Sequence, residues 1–120
     1  MAGVSGFFHY TSALDTPGNQ AFLAALDENG GDIGANHASA GGWMTADVIV
    51  RALEEIDGNA EDADALIAAI EGVEFDGVWG PFRFDPETHY AVVDGYLYEA
   101  VDEGGSLGHE ILATIPELEP

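Results

Sequence analysis

Two hydrophobic periodicities follow one another along this chain. The first segment, "GVSGFFHY" from Gly3 to Tyr10, is short, aromatic and β-prone, and reads as a strand. Loop chemistry follows in "SALDTPGNQ", where Asp15 or Thr16 can cap a helix with Pro17 in its first turn. Proline is tolerated there because its missing N–H has no helical partner anyway. Phe22, Leu23 and Leu26 give this helix its apolar side, and Gly30-Gly31 is its expected stop. Asp32 to Gly42 is polar, rich in Gly, Ala and Ser, and reads as a connection. A second helix is expected from about Gly42 to Ile56, with Gly58 as its stop. Its apolar face is Ala46, Ile49, Val50 and Leu53, and its polar face is Asp47, Arg51, Glu54 and Glu55. Asn59 can cap a third helix with Asp62 at its third position. Ala63, Leu66, Ile67 and Ile70 then point inward, and Gly72 ends the helix.

After Gly72 the helical period gives way to strand and turn signals. "FDGVWGPFRFDPETH" carries Asp76-Gly77 and Gly80-Pro81 around Phe82 and Phe84, which stand two residues apart as strand residues do. "AVVDGYLYEAVDEGG" is a longer strand region that ends in a Gly-Gly turn. One more short strand fits in the last twelve residues, and "PELEP" reads as a loose end. The order β-α-α-α-β-β predicts an α/β fold, three helices packed on a small mixed sheet. There is no internal repeat and no linker, so residues 1–112 form one unit, with 113–120 expected as a loose tail.

A chain of 120 residues can bury a real core, and 47% hydrophobic content separates it from disordered acidic tails. Charge changes the picture more. Arg51 and Arg83 are the only basic residues besides histidine, against 23 acids, for a net charge of -21. Such a chain repels phosphate backbones and anionic membrane surfaces, so nucleic acid is excluded as a partner class. It also repels itself at low salt and tolerates high salt through screening, which points to a halophilic or marine source. Absent cysteine excludes disulfides, thiolate nucleophiles and Cys-based zinc sites. No apolar run reaches the ~18 residues of a membrane span. The opening "MAGVSGFFHY" lacks a basic n-region, so no export signal is read in it.

Catalytic and metal chemistry does not declare itself. His9, His37, His89 and His109 show no metal-like spacing on one element, and each reads as a surface or loop histidine. Ser5 in "GVSGF" lacks the second glycine of a nucleophile elbow. Asp57, Asn59 and Glu61 alternate as in a calcium loop, but Asp62 replaces the sixth-position glycine and Ala68 the twelfth-position glutamate. No phosphate-cradling glycine motif is present. The expectation is no enzyme, no metal and no cofactor.

The pieces together resemble the C-terminal part of a type I periplasmic binding protein, in the branched-chain or hydrophobic amino-acid binding family that feeds ABC importers. "GFFHYTSALDTPGNQAFLAAL" is similar to that family's strand, crossover and helix start, through Pro17, Asn19 and Phe22. "GGWMTADVIVRALEEIDG" is similar to its next helix. "ALIAAIEGVEFDGVWGPFRFDPETH" is similar to a segment carried here by Phe75, Gly77, Gly80, Phe84 and Asp85, and "AVVDGYLYEAVDEGG" to its final strand. The resemblance spans about residues 3 to 105, roughly the last third of such a protein.

What the resemblance implies is a partial lobe. The family has two α/β lobes joined by three crossovers, with the solute between them. The implied function is the solute-binding component of an ABC importer, closing about its hinge on a small solute such as a branched-chain amino acid or amide. Permease subunits are the implied partners of the full-length protein, at a periplasmic or cell-surface location and without membrane insertion. Trp43 falls where the family commonly has an aromatic facing the cleft, and Gly42 before it would let the backbone approach a ligand. Trp43, Tyr10 and Gly42 are therefore the expected ligand-binding residues, with core packing the open alternative for Trp43, and hinge or core for Phe8 and Tyr10. Trp79 and Phe82 read as core or hairpin packing. Rival functions are a ligand-sensing domain of a receptor or regulator with the same fold, an acidic protein-interaction domain, or a small enzyme whose site is hidden.

Overall fold

A computed structural model describes residues 2–29 and 34–118. The element order is β1 (Ser5–Phe8), α1 (Pro17–Glu28), α2 (His37–Glu55), α3 (Ala63–Glu71), β2 (Glu74–Gly77), β3 (Gly80–Phe84), β4 (Ala91–Asp102) and β5 (Leu107–Leu118). Three helices pack on a small sheet, as the α/β pattern predicts.

Local chemistry sets the helix ends. Thr16 caps α1, its hydroxyl accepting from the Asn19 N–H at 3.1 Å, and Pro17 opens the helix. The helix closes on Asn29; the expected Gly30-Gly31 stop lies outside the described residues. α2 begins at His37, five residues before the expected start at Gly42. Asn36 Oδ1 accepts from the Ala38 and Ser39 N–H groups, while Ser39 Oγ accepts from the Asn36 N–H. This reciprocal box satisfies donors that the first turn would leave unpaired and outweighs the helix-weakening Gly41 and Gly42. Asp62, not Asn59, caps α3, accepting from the Ala65 N–H at 3.1 Å, and Gly72 ends it as expected.

β4 is the spine of the sheet. β5 pairs along one edge of it, from Val93↔Leu118 to Asp102↔Leu107, while β3 and β1 pair at its two ends through Phe84↔Ala91 and Ser5↔Glu99. β2 extends the sheet beyond β3. Every described pairing is antiparallel. Two of them close through short turns, Val78-Trp79 and Glu103–Ser106, which join antiparallel neighbours directly. β5 is twelve residues long, so 113–118, expected as a loose tail, is paired strand. Its apolar positions are carried by cross-strand pairing with β4, a long-range effect that the local sequence hides.

The core joins Tyr10, Leu14 and Phe22 to Met44, Val48 and Ala52 of α2 and to Val78, Phe82 and Tyr96 of the sheet. α2 buries Ala40, Met44, Val48 and Ala52, a row at i,i+4 spacing. The expected face differs: Ile49 and Val50 are exposed. The reason is close approach. A Cβ on Gly77 of β2 would meet Met44 Sδ at 2.7 Å, so the helix seats the row that begins and ends in alanine, with Met44 over Gly77, against the hairpin. On α3, Leu66 and Ile70 are partly buried against the core, while Ile67 is exposed.

Candidate functional site

The three expected ligand-binding residues occupy different environments. Tyr10 is 4% exposed, and its hydroxyl donates to Asn19 Oδ1 at 3.1 Å. Burial pushes its phenol pKa up to about 12. Trp43 is 38% exposed and leans on Phe22 with ring centroids 5.6 Å apart; Phe22 also meets Tyr10, at 6.3 Å. Phe22 is thus a ring neighbour of both expected residues. An apolar groove of about 240 Å³ runs beside Trp43, lined by Ala46, Asp47 and Val50. Gly42 lies inside α2, not at its expected start, and a Cβ there would meet nothing within 4 Å. No close backbone approach calls for glycine at that position.

A denser constellation forms where β1 ends, α2 begins and the β2–β3 hairpin turns. Phe8 and His9 have ring centroids 4.3 Å apart, Phe8 and His37 5.1 Å, and His9 and Trp79 4.4 Å. Each is held by its own element. Pairing of Phe8 with Tyr96 fixes the end of β1. The Asn36 cap fixes His37 as the first residue of α2. Trp79 sits in the two-residue turn, where the Tyr96 hydroxyl donates to its carbonyl at 2.7 Å. Gly80, the next residue, has φ +87, a left-handed conformation that glycine adopts without strain, and a Cβ there would crowd the Tyr96 hydroxyl at 2.6 Å. On the α2 side, a Cβ on Gly41 would reach the Trp79 indole at 3.6 Å.

The polar chemistry of this constellation is unusual for the chain. His9 titrates below the ordinary 6.5, first because burial penalises its charged form and second because His37 is near. The Trp79 Nε1–H is buried and meets no acceptor among the described residues, an uncommon state for a buried donor. Elsewhere carboxylates dominate. A depression of about 450 Å³ on the sheet brings Glu74, Asp76, Asp94 and Glu117 around Arg83, which suits a cationic or neutral guest better than an anion.

Sequence reading missed this group because it treats Phe8, His9, His37 and Trp79 one at a time, as packing or loop residues. No local spacing links positions so far apart. The available signal was compositional and partial: His9 lies in an aromatic run, Phe7-Phe8-His9-Tyr10, in a chain otherwise so poor in positive charge, whereas nothing around His37 marks it.

Three comparisons bear on the fold. Residues 1–106 match the family model described as periplasmic binding protein. A curated relative, a Leu/Ile/Val-binding protein homolog from Brucella abortus, is 30% identical over 112 residues, 91% of this chain and 28% of the relative. An ABC transporter substrate-binding protein from Sphaerobacter thermophilus superposes with a TM-score of 0.89 at 32% identity, covering 97% of this chain and 32% of that one. A solute-binding protein of an ABC transporter from Rhodopseudomonas palustris, solved with p-hydroxybenzoic acid, gives a TM-score of 0.87 at 29% identity over 98% of this chain and 32% of its own. The chain therefore spans about three-tenths of the length of the relatives it matches.

Proposed function

We propose, for a chain that belongs to the periplasmic binding protein family, that it forms part of the solute-binding component of an ABC importer. The observation that carries this reading is the superposition of nearly its whole length on a substrate-binding protein of such a transporter. In this reading the chain is the C-terminal portion of a two-lobed protein and supplies one wall of the solute site. The lobes close about their hinge around the solute, and no covalent chemistry is involved. Its partners are a small solute and the permease subunits of the importer, and it works in the periplasm or at the cell surface. Among the described residues no helix is long and apolar enough to cross a membrane. The excess of 23 acids over two arginines fits a salt-rich setting.

The solutes in the relatives' names, Leu/Ile/Val in one and p-hydroxybenzoic acid in another, share a single carboxylate on an apolar body. We assign this chain a solute of that general kind. Trp43 and Gly42 as contacts, with buried Tyr10 against Phe22 as support, form one reading of the site, favoured by the exposure of Trp43 and the apolar groove beside it.

The test is a chimera in which this chain replaces the matching part of the Rhodopseudomonas relative. A chimera that melts cooperatively and binds leucine, valine, benzoate or p-hydroxybenzoate with micromolar Kd by calorimetry supports the function. A folded chimera that binds none of them overturns it.

A further inference from the structure

The sheet turns its core residues to one side. Tyr96, Phe82 and Val93 face that side and join the core that holds Met44 and Val48 of α2. Alternation along the strand turns Leu97 the other way. Across the ladder Phe7, Leu97 and Ala113 stand opposite one another, and Gly95 stands opposite Ile115. Residues so paired share a face, here the outer one. Phe7 and Leu118 close over Gly95, where a Cβ would overlap both side chains. Outward positions of a sheet that faces water are ordinarily polar. Here Phe7, Leu97 and Ile115 are 49%, 36% and 44% exposed. They adjoin in space instead of scattering, the pattern of a surface that meets a partner.

The shape points the same way. The radius of gyration is 16.1 Å, against about 14 Å for a compact domain of this length. Ala113, Thr114 and Ile115 are exposed in succession, so this part of β5 is open on both faces. One end of the apolar patch is acidic. Glu99 and Glu110 stand directly opposite each other on β4 and β5, a like-charge pair that costs stability unless a cation meets it. Ser5, the third residue of that row, carries no charge to offset it.

Resting on the importer reading above, we propose that this face receives the remainder of the periplasmic-binding-protein fold. The chain superposes over 97% of its length on 32% of a substrate-binding protein, which leaves about two-thirds of that fold to pack against it. The docking surface is apolar at its centre, over Phe7, Leu97 and Ile115, and carries a lysine or arginine toward Glu99 and Glu110. A second copy of this chain fits worse. It brings the same glutamate pair and a net charge of -21. Its two arginines are engaged, Arg51 with Asp47 at 2.8 Å and Arg83 with Glu117 at 3.5 Å.

The test places the same substitutions in two settings, the 120-residue chain and the chimera described above. Leu97→Thr with Ile115→Thr removes apolar surface and keeps residues that suit a strand. In the chain alone it should move the melting temperature by no more than about 2 °C, as at exposed positions. In the chimera it should lower the melting temperature by about 5 °C or more, because both side chains are then covered. Glu99→Gln should change sign between the settings. It should raise the melting temperature of the chain alone by relieving the Glu110 repulsion, and lower that of the chimera by removing a charged contact. Equally small effects of the double substitution in both settings overturn the proposal, as does a rise with Glu99→Gln in both. Sedimentation velocity of the chain in molar potassium chloride reads out the other occupant. A dimer that the double substitution dissolves, with the chimera indifferent, makes the face a contact between copies and overturns the proposal. A chimera that binds its solute but melts unchanged by the double substitution sinks this inference and leaves the importer reading standing. A chimera that loses stability with the substitution, while its parent folds and binds none of the solutes, does the reverse.

Discussion

The Tyr10 hydroxyl donates to Asn19 Oδ1 at 3.1 Å, and neither side chain is open to solvent. Asn19 then uses its amide to donate to the carbonyls of Ser12 and Leu14, at 3.1 and 2.7 Å. One buried side chain thus ties the strand exit, the loop and the start of α1 into a single unit. Tyr10→Phe removes the donor and strands the Asn19 oxygen, so we expect a loss of about 1–3 kcal/mol. Asn19→Ala leaves the buried Leu14 carbonyl and a buried phenol without partners and should cost more, roughly 2–4 kcal/mol. Urea denaturation of both variants checks the order. Equal stability of Asn19→Ala and the parent would show that the network contributes nothing.

Glycines at two neighbouring helices should respond in opposite ways. Gly18, in the first turn of α1, lies so close to the Gly77 carbonyl that a Cβ would overlap backbone atoms. Backbone cannot yield as a side-chain tip can, so Gly18→Ala should destabilise by about 2 kcal/mol or more. Gly42 is exposed within α2 and a Cβ there meets nothing within 4 Å. Gly42→Ala should therefore stabilise by about 0.5–1 kcal/mol through helix propensity. Thermal melts of the two variants should move in opposite directions.

His9 supplies a pH dependence with a defined sign. Its pKa in the folded chain lies below 6.5, because burial and then His37 disfavour the imidazolium. The unfolded chain therefore takes up a proton that the folded chain resists. The stability linked to His9 is complete above about pH 6.5 and is lost as pH falls from there toward the folded-state value. His37→Gln should raise the His9 pKa part of the way, leaving the burial contribution in place. Proton NMR titration of the His9 ring measures both, and an unshifted His9 in the parent chain would remove the effect.

Much of the fold was legible in the chain. Thr16-Pro17 marks a helix start because a hydroxyl and a proline each solve part of the same end problem, and Gly72 marks a helix stop. The start of α2 was hidden because Gly41-Gly42 reads as a loop, while the capping box that overrides it depends on the side chains of Asn36 and Ser39 meeting in space. Its buried row was misread because Ile49 and Val50 are more hydrophobic than Ala40 and Ala52, yet the partner surface decides which face fits. The length of β5 was likewise set by β4, not by its own residues. The site was least legible of all, since Phe8 and His9, His37, and Trp79 come together only through three separate elements.

The net charge of -21 predicts a salt response. The screening length falls from about 30 Å at 0.01 M salt to about 3 Å at 1 M, so repulsion among the acids fades across that range. The melting temperature should rise by several degrees from low to molar potassium chloride. A flat profile by calorimetry or circular dichroism would count against the salt-adapted reading.

The central claim is that this chain supplies one wall of a two-walled solute site. One wall offers an aromatic contact of about 0.5–1.5 kcal/mol beyond burial, and it leaves part of the solute's polar surface unpaired. Micromolar affinity needs about 8 kcal/mol, whereas about 4 corresponds to millimolar. Calorimetric titration of the 120-residue chain by itself, with leucine, isoleucine, valine and benzoate in turn, tests the claim most directly. The account predicts Kd values of millimolar or weaker for every one of them, and a micromolar Kd for any of them in the isolated chain would contradict it.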